Sequence, residues 1–239
     1  MNIILLKQHN IDVSGRLVIN ETRQVNHIKS VLKAEIGDCL RLGVLGGRLG
    51  VGRIVLIDDN QVLLDEVVLN KTPPKKLPVT VMLALPRPKV LRRLVMDMTA
   101  IGVPHFILIN SYRTDKSYWG SPMLARIDDF IVDGLEQGVD TVPPKITFAK
   151  RFKPFVQDEL PSLMDEGRAV VFHPYDSEGF GEFCANQGMP TLITIGAEGG
   201  FIPYEIDLLR SVGVSAVGLG DRILRTESAV NAVLGRYLL

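Results

Sequence analysis

The chain is poor in the features that mark secreted, metal-bound or membrane-spanning proteins. Cys39 and Cys184 are the only cysteines in 239 residues, too few and too far apart for a disulfide framework. Neither sits in a CxxC or HxxxC spacing that would hold zinc. Both are expected to be buried, inert thiols. No apolar run reaches the ~18 residues of a bilayer span. The apolar start is cut off by Lys7, Gln8 and His9, too early for a signal peptide, so a soluble, cytoplasmic protein is expected. Charge of one sign is not in excess, with 27 Lys/Arg against 27 Asp/Glu, and no global basic field advertises nucleic acid. There is no GxxxxGK[ST] and no GxGxxG opening a helix, so the common nucleotide loops are absent. Internal repeats and low-complexity tracts are absent too.

What is present is unevenly distributed. Residues 71–93 carry Lys71, Lys75, Lys76, Arg87, Lys89, Arg92 and Arg93 and no acid. Residues 1–57 hold eight Lys/Arg against four acids. Such a basic stretch is either a phosphate-binding face or ordinary solvated surface. The hydrophobic fraction of 46% and the length suit one large domain or two modest ones.

Residues 72–78 hold three prolines, which oppose helix and central strand alike, and the pattern changes there. Before them, residues 16–19, 39–44, 50–57 and 61–68 read as short strands, with a turn at Asp58-Asp59-Asn60. Residues 24–32 read as a helix with Val25, Ile28, Val31 and Leu32 on one face. A compact β-barrel-like module is expected. After them, strands over 79–85, 105–109, 145–149, 169–173, 191–196 and 216–219 alternate with helices. The helices are placed over 89–101, 124–135, 155–164, 205–212 and 226–238. This alternation predicts an α/β domain with a mostly parallel, doubly covered sheet.

Two glycine-rich loops follow the last apolar strand-like runs. The first is Gly196-Ala-Glu-Gly-Gly-Phe201, and the second is Gly218-Leu-Gly-Asp-Arg-Ile-Leu-Arg-Thr-Glu227. Loops at the ends of adjacent strands are where such a sheet binds ligands. Their glycines allow close backbone approach to an adenosine-type ligand, although Gly199-Gly200 alone fits a strand-to-helix turn equally well. Thr226 is expected to cap the last helix. Arg225 then sits at the helix end that disfavours a cation, which calls for an anionic partner, either internal (Glu227 or Asp221) or bound.

These residues resemble a known family. Ile195-Gly-Ala-Glu-Gly-Gly-Phe with Glu205, and Leu219-Gly-Asp-Arg-Ile-Leu-Arg-Thr-Glu227, are similar to the 16S rRNA (uracil-N3) methyltransferases of the RsmE type, in the SPOUT class. Val81-Met-Leu-Ala-Leu85, Ile101-Gly-Val103, Glu136-Gln137-Gly138 and His173-Pro174 extend the likeness. His27-Ile28, Val31-Leu32-Lys33 and Gly37-Asp38 are similar to a PUA-like domain. The resemblance implies a PUA-like RNA-binding β domain over residues 1–72. It implies a SPOUT methyltransferase domain with a deep trefoil knot over residues 73–239, a rare exception to unknotted topology. S-adenosyl-L-methionine would lie bent against Leu83, His173, Gly196, Glu198, Gly199, Gly200, Leu219, Gly220, Ile223, Leu224 and Thr226. The protein would be a homodimer acting on 16S rRNA or the small ribosomal subunit, without membrane or metal.

Methylation at N3 of uracil needs an imide proton removed and the nitrogen aligned with the donor, so positioning supplies much of the rate. Arg225 is expected to stabilise the uracil anion or a phosphate, and Glu227, or secondarily Glu198, to organise the site. Arg16, Arg23, Lys29, Arg87, Lys89, Arg92, Arg93 and Arg113 are the expected RNA contacts. Tyr112 and Trp119 are placed to stack on RNA, or, for Trp119, to be partly buried. His9, His27 and His105 are not expected to act as bases. The chain departs from the family at Ala197, where a proline is usual, at Ile202 in place of a serine cap, and in residues 98–102 and 136–140, which lack the usual Lys, Glu and Arg. Those charges belong where substrate or dimer contacts are expected. Other readings are another SPOUT RNA methyltransferase activity, ribose 2′-O or another base, and an inactive RNA-binding assembly factor.

Overall fold

A computed structural model describes residues 2–7, 16–164, 168–175 and 178–238. The chain forms two compact units, Met1–Lys75 with Val132–Pro143, and Lys76–Ile131 with Pro144–Leu239. Residues 132–143 thus belong with the first unit, not with the segments that flank them. No helix of the described residues is long and apolar enough to cross a membrane.

The first unit is a five-stranded sheet of β1 (Ile4–Leu6), β2 (Leu17–Ile19), β3 (Cys39–Val44), β4 (Leu49–Ile57) and β5 (Val62–Lys71), in the order β1-β3-β4-β5-β2. All ladders are antiparallel except β1 with β3. No ladder joins β1 to β2 among the described residues, so the sheet is an open half-barrel. β1 is not foreseen from sequence, because three residues buried on both sides show no alternation. Cys39 is exposed and Cys184 half-buried, correcting the expectation of two buried thiols. Cys39 opens β3 on its solvent face, with Leu40 and Leu42 turned inward. At the β4–β5 turn the Asp58 carboxylate accepts the N–H groups of Asn60 at 2.7 Å and Gln61 at 2.9 Å, as the sequence predicts.

The expected helix over residues 24–32 starts as α1 (Thr22–Asn26) but continues as a π turn, His27–Val31. The Leu32 N–H reaches the His27 carbonyl at 3.0 Å. This wider turn rotates later side chains off the buried face. Val25 and Ile28 stay in the core while Val31 and Leu32 emerge 65% and 44% exposed.

The second unit is a six-stranded, all-parallel sheet. Its elements in chain order are β6 (Thr80–Ala84), α2 (Pro88–Ile101), β7 (His105–Ile109), α3 (Pro122–Ala125), α4 (Ile127–Gly138), β8 (Lys145–Ala149), α5 (Phe152–Pro154), β9 (Ala169–Phe172), α6 (Phe180–Gln187), β10 (Leu192–Ile195), α7 (Pro203–Ser211), β11 (Ser215–Val217) and α8 (Thr226–Gly235). The last turns of α4 belong to the first unit. The sheet order is β11-β9-β10-β6-β7-β8. β9 and β10 are buried along their whole length, as strands covered on both faces must be.

α2 forms where its period predicts, burying Val90, Leu91, Leu94, Val95 and Met98. Pro88 opens it and Gly102, at φ 97°, ends it in the left-handed region. The helix expected over 124–135 is split at Arg126, because Ser121 caps a separate first turn by accepting the Met123 N–H at 3.2 Å. The helix expected over 155–164 is a chain of short turns: α5, a π turn Phe155–Glu159, and a 3₁₀ turn Leu160–Leu163. Pro161 lacks the N–H that a regular helix would need there. α6 is a helix the sequence reading missed, since only Phe180 and Phe183 of its eight residues are buried.

The registers decide where the site lies. Leu83 pairs with Ile195, and Phe172 with Val217. The loops that leave β6, β9, β10 and β11 therefore emerge together at the carboxyl ends of adjacent strands, the usual ligand position in a parallel sheet.

Candidate active site

Those four loops, the loop after β7 and the first half of α2 line one cleft of about 1190 Å³ in the second unit. It exceeds the about 300–1,000 Å³ of most small-molecule sites. Its walls come from Arg87–Val90 and Arg93, from Arg113 and Tyr118, from Phe172–Tyr175, from 195–201 and from much of 219–229.

The first glycine loop is set by backbone proximity. A Cβ on Gly196 would lie 2.9 Å from the Gly200 Cα, and Gly200 itself has φ 67°. Only glycine closes this turn without displacing main chain. The loop runs into α7, capped by Ile202, whose N–H is taken by the Glu205 carboxylate at 3.0 Å. The other Glu205 oxygen accepts the Tyr112 N–H at 2.8 Å. Glu205 is 2% exposed, so it fastens the loop after β7 to the start of α7 from inside.

The second loop turns at Gly220, with φ 87°. It presents Ile223, 74% exposed, and Leu224, 38% exposed, to the cleft. Thr226 does not cap α8. Arg225 holds that position and Thr226 is the first helical residue. The Thr226 side chain is buried, and its hydroxyl donates to the Gly196 carbonyl at 3.2 Å, tying the two loops together.

Charge is arranged in pairs around this frame. Arg87 Nε meets Glu198 Oε1 at 2.9 Å, and that oxygen also accepts the Arg87 backbone N–H at 3.3 Å. The hydrogen bond first, and the charge of Glu198 second, hold the Arg87 guanidinium above its ordinary value. Arg93 Nη2 meets Glu227 Oε1 at 2.6 Å. The Arg113 guanidinium donates to the Gly199 carbonyl. Arg225 and Arg222 are exposed and make no ion pair among the described residues. Glu227 pairs with Arg93, so it is not the internal partner that the sequence reading allowed for Arg225.

The cleft thus collects Arg225, Glu227, His173, Gly196, Glu198, Gly199, Gly200, Leu219, Gly220, Ile223, Leu224 and Thr226, together with Arg87, Lys89, Arg93 and Arg113. Leu83 is not on its wall. It is fully buried in β6, in register with the wall residue Ile195. Arg92 lies outside the cleft, its guanidinium 5.6 Å from the Phe130 ring centre. Arg16, Arg23 and Lys29 belong to the first unit. There they face Asp65 at 3.9 Å, Asp133 and Glu136 at 3.1 and 3.0 Å, and Asp59 at 2.6 Å. Glu136 is buried, and burial holds its carboxyl above the ordinary range against the opposing pull of Arg23. Tyr112 is 79% exposed. Trp119 is partly buried, donating to Asn110 Oδ1 at 2.9 Å and lying edge-on to Phe148. His105 meets Thr147 Oγ1 at 2.9 Å, and His9 lies outside the described residues. The sequence reading missed Arg222, Tyr118 and Tyr175 as wall residues. Tyr118 and Tyr175 sit in segments without periodic signal, and only the sheet register brings them here. Among the described residues no cluster of His, Cys, Asp or Glu is placed to hold a metal.

Comparison with known proteins matches residues 73–237 to a family described as the RNA methyltransferase domain. The chain is 28% identical over 236 residues to ribosomal RNA small subunit methyltransferase E of Treponema pallidum, covering 97% of this chain and 88% of that protein. Among solved structures it resembles the enzyme of the same name from Neisseria gonorrhoeae, bound to S-adenosyl methionine, with TM-score 0.75 and 18% identity over 98% and 96% of the two chains. A methyltransferase from Legionella pneumophila, in complex with the same cofactor, gives TM-score 0.72 and 20% identity over 99% and 97%. At these identities the structural likenesses establish the fold.

Proposed function

Because this chain belongs to the RNA methyltransferase domain family, we propose that it transfers a methyl group from S-adenosylmethionine to N3 of a specific uridine in 16S ribosomal RNA. The observation that carries this reading is the joining of both glycine loops in one cleft, locked by the bond from Thr226 to Gly196.

The wall residues fit such a donor. Exposed Ile223 and Leu224 offer apolar surface for a purine. Glu198 and Glu227 supply negative charge toward a sulfonium cation, and the backbone of Gly200 and Gly220, with open space where a Cβ would stand, lies bare for close contact. S-adenosylmethionine, when bound, supplies an already activated methyl group. The protein's work is then to position the uracil and to stabilise the charge left when its imide proton departs. Arg225, a cation without an internal acid, takes the uracil anion or the adjoining phosphate. Glu227, held by Arg93, organises the loop below it. Lys89, Arg87, Arg93 and Arg113 meet RNA phosphates at the cleft mouth.

On the same reading residues 1–72 form a PUA-like RNA-binding module, with Arg16, Arg23 and Lys29 as contacts, and residues 73–239 form a SPOUT domain whose end is knotted. The molecule works in the cytoplasm as a homodimer, which light scattering tests directly. Calorimetry with S-adenosylmethionine is the first test of function, since absence of binding would refute the enzyme reading. Mapping of N3-methyluridine in 16S rRNA from cells lacking the protein is the second. Loss of one such site is expected, and an unchanged map would exclude that target.

A further inference from the structure

Two arginines at the cleft mouth are each only half used. Arg87 and Arg93 have side chains 64% exposed, yet each contacts a carboxylate that is only 25% or 23% exposed, Glu198 and Glu227 respectively. The acids face inward and the cations outward. A guanidinium carries five N–H donors in a planar fork. Arg87 reaches Glu198 through Nε, and Arg93 reaches Glu227 through one Nη2. Neither side chain makes another hydrogen bond or ion pair among the described residues, and both line the cleft. Arg87 caps α2 and Arg93 lies in its second turn, whereas Glu198 sits in the first glycine loop and Glu227 in the first turn of α8, where the second loop ends.

We propose that Arg87 and Arg93 are bridging residues that couple the two ligands: each holds a cleft carboxylate on its inner side and takes an RNA phosphate on its outer side. The proposal rests on the reading of the cleft as a site for S-adenosylmethionine and RNA. Only the arginine side of each pair is well exposed, so a second anion can share the guanidinium from the solvent side without displacing the carboxylate. A guanidinium shared with a phosphate neutralises its carboxylate less completely, so Glu198 or Glu227 attracts a cationic sulfonium more strongly. By linkage, the donor raises RNA affinity by the same factor. The sign is positive because the two ligands carry opposite charges and each relieves a different member of the ion pair. Arginine is required, since a lysine ammonium is a point charge without the fork that meets two anions at once.

The test is fluorescence anisotropy of labelled 16S rRNA with the full-length protein. It is run without additive, with a non-reactive cationic analogue of S-adenosylmethionine, and with neutral S-adenosylhomocysteine. Calorimetry supplies donor affinities, and thermal melting verifies folding of each variant. The wild type is expected to bind RNA about fivefold more tightly with the cationic analogue, and less so with the neutral compound. R93K is expected to keep most RNA affinity while losing the coupling. R87Q and R93Q each weaken RNA binding and reduce the coupling. Binding of both ligands with independent affinities, or full coupling in R93K, would overturn the proposal and leave the functional reading standing. Failure of the wild type to bind either ligand would overturn both.

Discussion

The Thr226 hydroxyl donates to the Gly196 carbonyl across 3.2 Å, joining the start of the last helix to a loop thirty residues earlier. Removing the donor while keeping the shape isolates this bond. T226V is expected to lower stability by about 1 kcal/mol and to weaken S-adenosylmethionine binding, as read by chemical denaturation and calorimetry. Unchanged donor affinity would show that the two loops hold their arrangement without the bond.

The two glycines of the first loop differ in what surrounds them. A Cβ at Gly196 meets the Gly200 Cα at 2.9 Å, whereas one at Gly199 meets only side-chain atoms, Cβ and Cδ of Arg113, at 3.0 Å. Main chain yields less readily than a side chain, and overpacking costs about 1–3 kcal/mol. G196A is therefore expected to lose donor affinity roughly tenfold or more, and G199A distinctly less. Equal losses in calorimetry would refute the backbone argument.

Arg225 is exposed and makes no ion pair among the described residues. R225A should then leave the denaturation midpoint almost unmoved, within about 0.5 kcal/mol. Methyl transfer to 16S rRNA should fall on the order of 100-fold if Arg225 stabilises developing charge. Transfer at the wild-type rate with unchanged RNA affinity would remove Arg225 from the site.

Glu136 gives the first unit a dependence on pH. Its carboxyl is held above the ordinary value by burial, while Arg23 pulls it down. A raised carboxyl binds its proton more tightly in the folded chain than in the unfolded one. Its contribution is therefore full below the ordinary glutamate range and is lost as pH rises through the folded value. In R23Q the folded value moves further up, so the loss spans a wider window. At pH 8 the variant is expected to be less stable by on the order of 2 kcal/mol. Denaturation between pH 4 and pH 8 measures this, and parallel curves for R23Q and wild type would contradict it. R23Q combined with E136Q should flatten the curve.

Much of the second unit is legible in the sequence because its signals are local. β7 (His105–Ile109) and β8 (Lys145–Ala149) fall on apolar runs bounded by polar residues or proline, and α2 carries a full helical period ended by Gly102. The errors arise where local rules compete. A π turn takes Val31 and Leu32 off the buried face, Pro161 fragments an apolar stretch, and Ser121 starts a helix of its own. The Glu-Gln segment at 136–137 reads as part of the second domain. Yet the Glu136 carboxylate and carbonyl accept from the backbone of Leu5 and Asn2, contacts more than 130 residues apart in sequence that no local pattern announces.

By itself the sequence determined most of the elements and the two glycine loops with the residue types they carry, because propensity, periodicity and loop composition act within a few residues. The tertiary structure alone decided which charges face one another. Arg87 with Glu198, Arg93 with Glu227 and Thr226 with Gly196 are separated by 111, 134 and 30 residues. They meet because the parallel register of β6, β9, β10 and β11 delivers their loops to one edge of the sheet. That register is set by burial across the whole sheet, not by any residue within the loops.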